Sequence, residues 1–222
     1  MGSKFQNEYL GSFGLASFFS MYFGHHLSTI EGGFINTNDE DFYHLLLMMR
    51  SHGWDRDLPP HKQQELRERY DCTDFNSLYN FYVPGMNLRS TDLQAFIGLR
   101  AIGKLDKYSS RRRFNFKYYL DLLKNNLLEL GEKENDFVSS FAIPILHKRR
   151  DDIIRDLLDE EIEVRPLIAG NMANKPMWFN ENEIPSLPNC ELVDKYGFYI
   201  PNHQDLSIKD IKLITSIINE YE

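Results

Sequence analysis

Cysteine is nearly absent. Cys72 and Cys190 are the only two in 222 residues, too few for a disulfide scaffold or a four-cysteine metal site. Long hydrophobic runs are missing too: charged or amide residues interrupt every apolar stretch after a few positions, so no segment reads as a membrane span. The N-terminus has no basic-then-apolar pattern of a signal peptide. Excess positive charge is lacking, with 25 Lys and Arg against 33 Asp and Glu and a net charge of −8. There is no electrostatic footprint for nucleic acid. Internal repeats and low-complexity tracts are also absent. What is present is an ordinary mixture, 42% hydrophobic and 26% charged, which excludes disordered and collagen-like chains. The expectation is a soluble cytoplasmic protein with room for one large domain or a domain and a half.

Residues 5–38 are rich in Phe, Tyr, Gly and Ser. Phe18–Phe23 reads as a buried strand, a turn with Gly24, His25 and His26 follows, and Phe34–Thr37 reads as a second strand. Asn38 or Asp39 can cap a helix with Phe42, Leu45, Leu46 and Met49 inward, ending before Gly53. Residues 55–84, with Pro59-Pro60, read as a long irregular segment holding one short helix. Thr91 with Gln94 has capping-box spacing ahead of an apolar stripe of Leu93, Phe96, Ile97, Ile102 and Leu105.

A second helix is expected over Ser109–Leu130, with Tyr118, Leu122 and Leu123 inward and Arg111–Arg113 as a solvated face. The polar stretch Gly131–Asp136 marks a domain boundary. Beyond it come a strand (Phe137–Leu146), a helix (Lys148–Glu160), strands at Ile162–Leu167 and Phe198–Ile200, and a helix capped by Ser207.

The most informative segment is Ser20-Met21-Tyr22-Phe23-Gly24-His25-His26-Leu27-Ser28-Thr29-Ile30-Glu31-Gly32-Gly33. Ser20, Ser28 and Thr29 can donate to an anion, the paired glycines permit close backbone approach, and the two histidines offer imidazoles for proton transfer. The same text also reads as a glycine-rich hairpin with exposed histidines. A metal site is poorly supported, because no Cys, Asp or further His stands nearby at ligand spacing.

This segment resembles the cofactor-lysine motif of the DegT/StrS sugar aminotransferases, fold-type-I enzymes that use pyridoxal phosphate. Ser20 and Glu31-Gly32-Gly33 align with the motif, Ile30 replaces a glycine, and His25 stands where the family carries its lysine. The resemblance continues in Gly11-Ser12-Phe13-Gly14, Arg50-Ser51-His52-Gly53, and Gly85-Met86-Asn87-Leu88-Arg89-Ser90 with Leu93-Gln94-Ala95 and Gly98. It also takes in Glu163-Val164-Arg165-Pro166 with Ala169-Gly170-Asn171, and Tyr199–His203. No single fragment is specific; the set is.

The resemblance implies an α/β chain, the C-terminal part of a fold-type-I large domain with long connecting helices (1–130), followed by a small α+β domain (131–222). Met1–Phe5 resembles family text that follows an acidic motif, so a first half with the phosphate loop and ring partners is expected ahead of it. By itself the chain is then expected to be inactive. A histidine in place of the lysine points to the family's 4-keto-6-deoxyhexose 3-dehydratases, which use pyridoxamine phosphate.

In that branch His25 is the catalytic base, and Ser20 and Asn87 bind the cofactor phosphate, Asn87 from the neighbouring subunit of a homodimer. Arg89, Glu163, Arg165 and Asn171 are substrate residues, Asn171 either touching the sugar or shaping its loop. The implied partners are a nucleotide-linked 4-keto-6-deoxyhexose and glutamate as amino donor. No iron–sulfur cluster is expected, since such a cluster needs about four thiolates. A sugar-nucleotide aminotransferase and a non-catalytic remnant of the fold are the alternatives.

Overall fold

The computed structural model describes residues 1–124, 126, 128, 130–178 and 185–221. The chain opens with a hairpin, β1 (Lys4–Phe5) and β2 (Glu8–Tyr9). Gln6 and Asn7 both take positive φ, as the two-residue loop of a primed turn requires. Next come β3 (Ala16–Ser20) and β4 (Gly33–Thr37), antiparallel from Ala16 opposite Thr37 to Ser20 opposite Gly33. The expected strand at 18–23 therefore lies earlier and ends at Ser20, because Tyr22–His25 folds into a turn closed by His25 N–H donating to Tyr22 O.

Asp39 caps α1 (Glu40–Met49) by accepting the Phe42 N–H at 2.7 Å. The helix buries His44, Leu47 and Met48, a phase shifted from the expected inward set. Leu58, Tyr82 and Val83 pack against Leu47 and Met48. The 55–84 segment holds two helices rather than one, α2 (Pro60–Arg69), with Pro60 in its first turn, and α3 (Asp74–Ser77). Thr91 and Gln94 form the expected capping box at the start of α4 (Asp92–Ile102). The apolar stripe of α4 is not buried, however: Leu93, Phe96 and Ile102 are exposed.

The next helix, α5 (Leu105–Leu122), starts and ends earlier than expected. Leu123 turns to extended backbone, and Asn125, Leu127 and Glu129 of the expected helix lie outside the described residues. The three arginines are not a solvated face. Arg111 donates to Leu206 O, Arg112 is buried and donates to Gln204, and Arg113 pairs with Glu132. Next in the chain are β5 (Ala142–Leu146), α6 (Arg150–Asp159), β6 (Arg165–Pro166), α7 (Pro188–Tyr196), β7 (Gly197–Pro201) and α8 (Ile208–Asn219). The strands form an antiparallel sheet in the order β5-β7-β6. Pro144 sits in an edge strand, where its missing N–H costs no interior ladder bond. Helix α7 was not expected, and both outer strands are shorter than the sequence suggested.

Two compact units result, 11–103 and 1–10 with 104–222. They divide at 103/104, not at the expected 130/131. The cause is packing: α5 contributes Phe116 and Tyr119 to the core of Ile143, Ile145, Ile153, Leu157, Phe198, Ile200, Ile211, Ile214 and Ile218. Polar ties add to it, with Asn115 and Tyr119 donating to the carbonyls of His203 and Pro201.

Candidate active site

In the 11–103 unit the β3–β4 connection carries Ser20 and His25. Ser20 ends β3, and its exposed hydroxyl accepts the Tyr22 N–H at 3.2 Å while keeping its own proton to donate. His25 is half-buried in the turn, its ring edge-on to Tyr22 with centroids 5.8 Å apart. Backbone bonds from Met21 N to Gly32 O and from Thr29 N to Met21 O narrow the connection beneath it.

The Glu31 carbonyl accepts two bonds at 2.8 Å, from Thr29 Oγ1 and from Gln94 Nε2. Gln94 therefore does more than cap α4: it ties the histidine-bearing loop to that helix. The capping-box spacing announced only the first role. Ile30, where the resemblance has glycine, takes φ 75°. That backbone disfavours a β-branched residue by roughly 1–2 kcal/mol, so the substitution is a larger departure than its sequence position suggests.

Asn87 and Arg89 lie on a second segment of the same unit. Met86 N donates to Met49 O, His52 N to Met86 O and Leu88 N to Arg50 O, which makes the Arg50–Gly53 and Gly85–Arg89 motifs one backbone-paired piece. Two glycines allow it. A Cβ on Gly53 would fall 1.8 Å from Val83 O, and one on Gly85 would fall 2.2 Å from Gly53 N, closer than any side-chain-bearing residue tolerates. Asn87 Oδ1 accepts from Arg89 Nε at 3.4 Å, and both residues are exposed. Beside them, unannounced by any motif, the Arg56 guanidinium stacks 3.7 Å from the Trp54 ring centroid, with Arg89 at 6.0 Å.

Glu163 and Arg165 belong to the other unit. They face each other two residues apart at the start of β6, Arg165 Nε donating to Glu163 Oε1 at 2.8 Å, with both side chains largely exposed. Asn171 differs. It is wholly buried, its Oδ1 accepts the Ala173 N–H and its own N–H donates to Asp194. Of the two roles expected for it, burial fits shaping of the loop.

The donor set suits an anionic cofactor. Ser20 offers a hydroxyl proton and Asn87 an exposed amide, both apt for a phosphate, and the imidazole of His25 stands five residues past Ser20. Among the described residues no group of three His, Cys, Asp or Glu side chains could hold a metal ion, and no helix is long and apolar enough to cross a membrane.

The chain is similar to several known proteins. A GDP-4-keto-6-deoxy-D-mannose 3-dehydratase from Escherichia coli O55:H7 is 33% identical over 226 residues, covering 98% of this chain and 58% of that protein. A GDP-perosamine synthase from Escherichia coli O157:H7 is 28% identical over 224 residues, covering 99% of this chain and 55% of that protein. A crystal structure of a GDP-4-keto-6-deoxymannose-3-dehydratase with a trapped PLP–glutamate geminal diamine superposes with a TM-score of 0.82 at 31% identity. It matches 98% of this chain and 58% of that one. The chain thus spans under three-fifths of the length of these relatives. The model of the DegT/DnrJ/EryC1/StrS aminotransferase family matches residues 1–219, and the chain belongs to that family.

Proposed function

We propose that this chain carries the histidine-bearing part of a pyridoxamine-phosphate-dependent dehydratase. The reaction removes the C3 hydroxyl of a GDP-linked 4-keto-6-deoxyhexose in deoxysugar biosynthesis. The observation that carries the reading is His25, an imidazole held on the β3–β4 turn at the family's lysine position. The likeness to 3-dehydratases of GDP-4-keto-6-deoxy-D-mannose supports the sugar class. Because those relatives are longer, the activity is assigned to a cytoplasmic protein that contains both these residues and the remaining length.

Ser20 holds the cofactor phosphate, and Asn87 reaches it from the neighbouring subunit of a homodimer. Arg89 and Arg165 bind the nucleotide sugar, since a planar guanidinium grips oxygens in pairs. Glu163 orients Arg165 through their shared hydrogen bonds, and Asn171 shapes the loop that follows. When bound, pyridoxamine phosphate would supply an amine for the C4 ketone and a sink for the electron pair released on proton removal. His25 would take the proton from the cofactor's C4′ carbon, a transfer suited to an imidazole, and the C3 hydroxyl would leave as water with a proton returned from the imidazolium. Lacking an amine of its own, His25 cannot anchor the cofactor as a lysine would. The nitrogen would leave the sugar as ammonia on hydrolysis, and glutamate, departing as 2-oxoglutarate, would be the donor that replaces it. Cys72 and Cys190 are the only thiols in the sequence, which supports a branch without an iron–sulfur cluster or reductase partner.

The family match and the likeness to a GDP-perosamine synthase favour one second reading, a sugar-nucleotide aminotransferase. The test is to incubate the enzyme containing these residues with GDP-4-keto-6-deoxymannose, glutamate and cofactor, and to identify the product by mass spectrometry. A 3-deoxy-4-keto sugar is expected. A 4-amino sugar moves the assignment to the aminotransferase, and no conversion indicates a non-catalytic remnant. Acid-labile sulfide in anaerobically purified protein would overturn the cluster-free reading.

A further inference from the structure

The turn after β6 is held by a residue that no motif marks. Ala169 and Gly170 both take left-handed φ, 65° and 55°, and Gly170 N donates to Leu167 O. The Asp194 carboxylate of α7 lies against this turn so closely that a Cβ on Gly170 would fall 1.9 Å from Asp194 Oδ1. That same oxygen accepts the Asn171 N–H at 3.1 Å and faces Lys175 Nζ at 3.3 Å. From α6, Arg150 Nη1 donates to the Asp194 backbone carbonyl at 2.8 Å. On the other side, Gly197 at the α7–β7 corner packs against Leu167, and Arg165 pairs with Tyr199 of β7. The stretch 165–171 is thus clamped between Asp194 and β7.

We propose that Asp194 is a positioning residue: its carboxylate fixes the 167–175 turn and, through it, the exposed Glu163–Arg165 pair that receives the nucleotide sugar. The inference rests on the substrate role given to Arg165 above. Asp194 touches no substrate itself. Hydrogen bonds from Asn171, assisted by Lys175 and Arg150, hold its carboxyl below the usual aspartate range, so it is ionised throughout the working pH range. Two features of Asp194 can be separated by substitution. Asp194→Asn keeps an oxygen for the Asn171 N–H and loses only the charge facing Lys175. Asp194→Ala loses both.

Two measurements test this. Hydrogen exchange on the present chain should show faster exchange over 165–175 in Asp194→Ala and near-normal protection in Asp194→Asn. Unchanged protection in Asp194→Ala overturns the proposal. In the catalytically complete protein, Arg165→Ala should raise KM roughly 10–100-fold, the loss of a charge-assisted contact. Asp194→Ala should raise KM in the same direction with kcat retained, Asp194→Asn should restore it, and the Arg165→Ala/Asp194→Ala pair should be no worse than Arg165→Ala alone. Additive effects overturn the proposal. If Arg165→Ala leaves KM unchanged, the substrate role of Arg165 fails, while the exchange result still decides whether Asp194 holds the turn. Gly170→Ala, which pushes a methyl into the Asp194 carboxylate, provides a second variant should Asp194→Ala not fold. Its expected result is the same KM rise, and an unchanged KM counts against the clamp.

Discussion

Replacing Glu132 by glutamine removes the charge that anchors the chain between α5 and β5. The Glu132 side chain is only 6% exposed. Its carboxylate accepts Arg113 Nε at 2.9 and 2.8 Å and the Val138 N–H at 3.1 Å, and it faces Lys117 Nζ at 3.2 Å. Hydrogen bonding to Arg113, opposed by burial and aided by Val138 and Lys117, lowers its pKa from 4.5 to about 2. A carboxylate depressed on folding stabilises the folded state above its unfolded pKa, and that contribution fades as pH falls toward the folded value. A shift of that size corresponds to roughly 3 kcal/mol. Lys117 and Arg113 are 53% and 34% exposed, and solvent screening brings the expected value nearer ~2 kcal/mol. Urea unfolding of the wild type and Glu132→Gln should therefore differ by about 2 kcal/mol at pH 7 and by less than half of that at about pH 3. A gap under about 0.5 kcal/mol at neutral pH, or one that does not shrink on acidification, would refute the assignment.

Three further outcomes are expected. His25→Asn should lower elimination by roughly 10²-fold or more, the usual contribution of a positioned base, and His25→Lys should suppress it as well; unimpaired turnover in His25→Lys, read by product analysis, would favour the aminotransferase. If Asn87 serves the neighbouring subunit's site, mixing inactive His25→Asn and Asn87→Ala subunits should restore part of the activity through hybrid dimers, whereas sites built within one subunit would show no recovery. Gln94→Ala leaves the Thr91 cap but removes the reciprocal bond from Thr91 N–H and the bond to Glu31 O, and should cost about 1–2 kcal/mol by thermal melting with faster exchange at Met21; an effect confined to the α4 amides would contradict the tie to the histidine loop.

Where a local rule decides the outcome, the sequence was legible. Asp39, Thr91 and Ser207 each cap the helix their spacing predicts, because a cap needs only a side-chain oxygen and an N–H three residues on. A strong 3.6-residue period predicts Ile153, Ile154, Leu157 and Leu158 inward on α6 and Ile208, Ile211, Ile214 and Ile218 on α8; Ile153, Leu157, Ile211, Ile214 and Ile218 are buried, whereas Leu158 and Ile208, near the helix ends, are exposed. Helix α7 was not legible. Pro188 is tolerated at a helix start, but in isolation it reads as a break, and the helix buries none of its residues. Nor could the arginines of α5 be read. Their partners Glu132, Gln204 and Leu206 lie 19 to 95 residues away, and nothing local distinguishes a charge run that faces water from one that joins elements.

The candidate site divides along the same line. Ser20, His25, Asn87 and Arg89 stood out because side-chain identity at fixed spacing was itself the signal. The Glu31 carbonyl, which gathers Thr29 and Gln94, is backbone and has no identity to read. The α4 stripe shows the limit of periodicity most clearly. Alternation of Leu93, Phe96 and Ile102 with polar residues correctly announces an amphipathic helix, yet these side chains are 65%, 57% and 50% exposed. Periodicity reports that a face is apolar; the partner that covers it is set by chain elsewhere. An exposed apolar face favours association in water. So the same three residues that made α4 easy to predict are where changes in solubility should first be seen, and Phe96→Gln should reduce aggregation of this chain while leaving the Gln94–Glu31 bond intact.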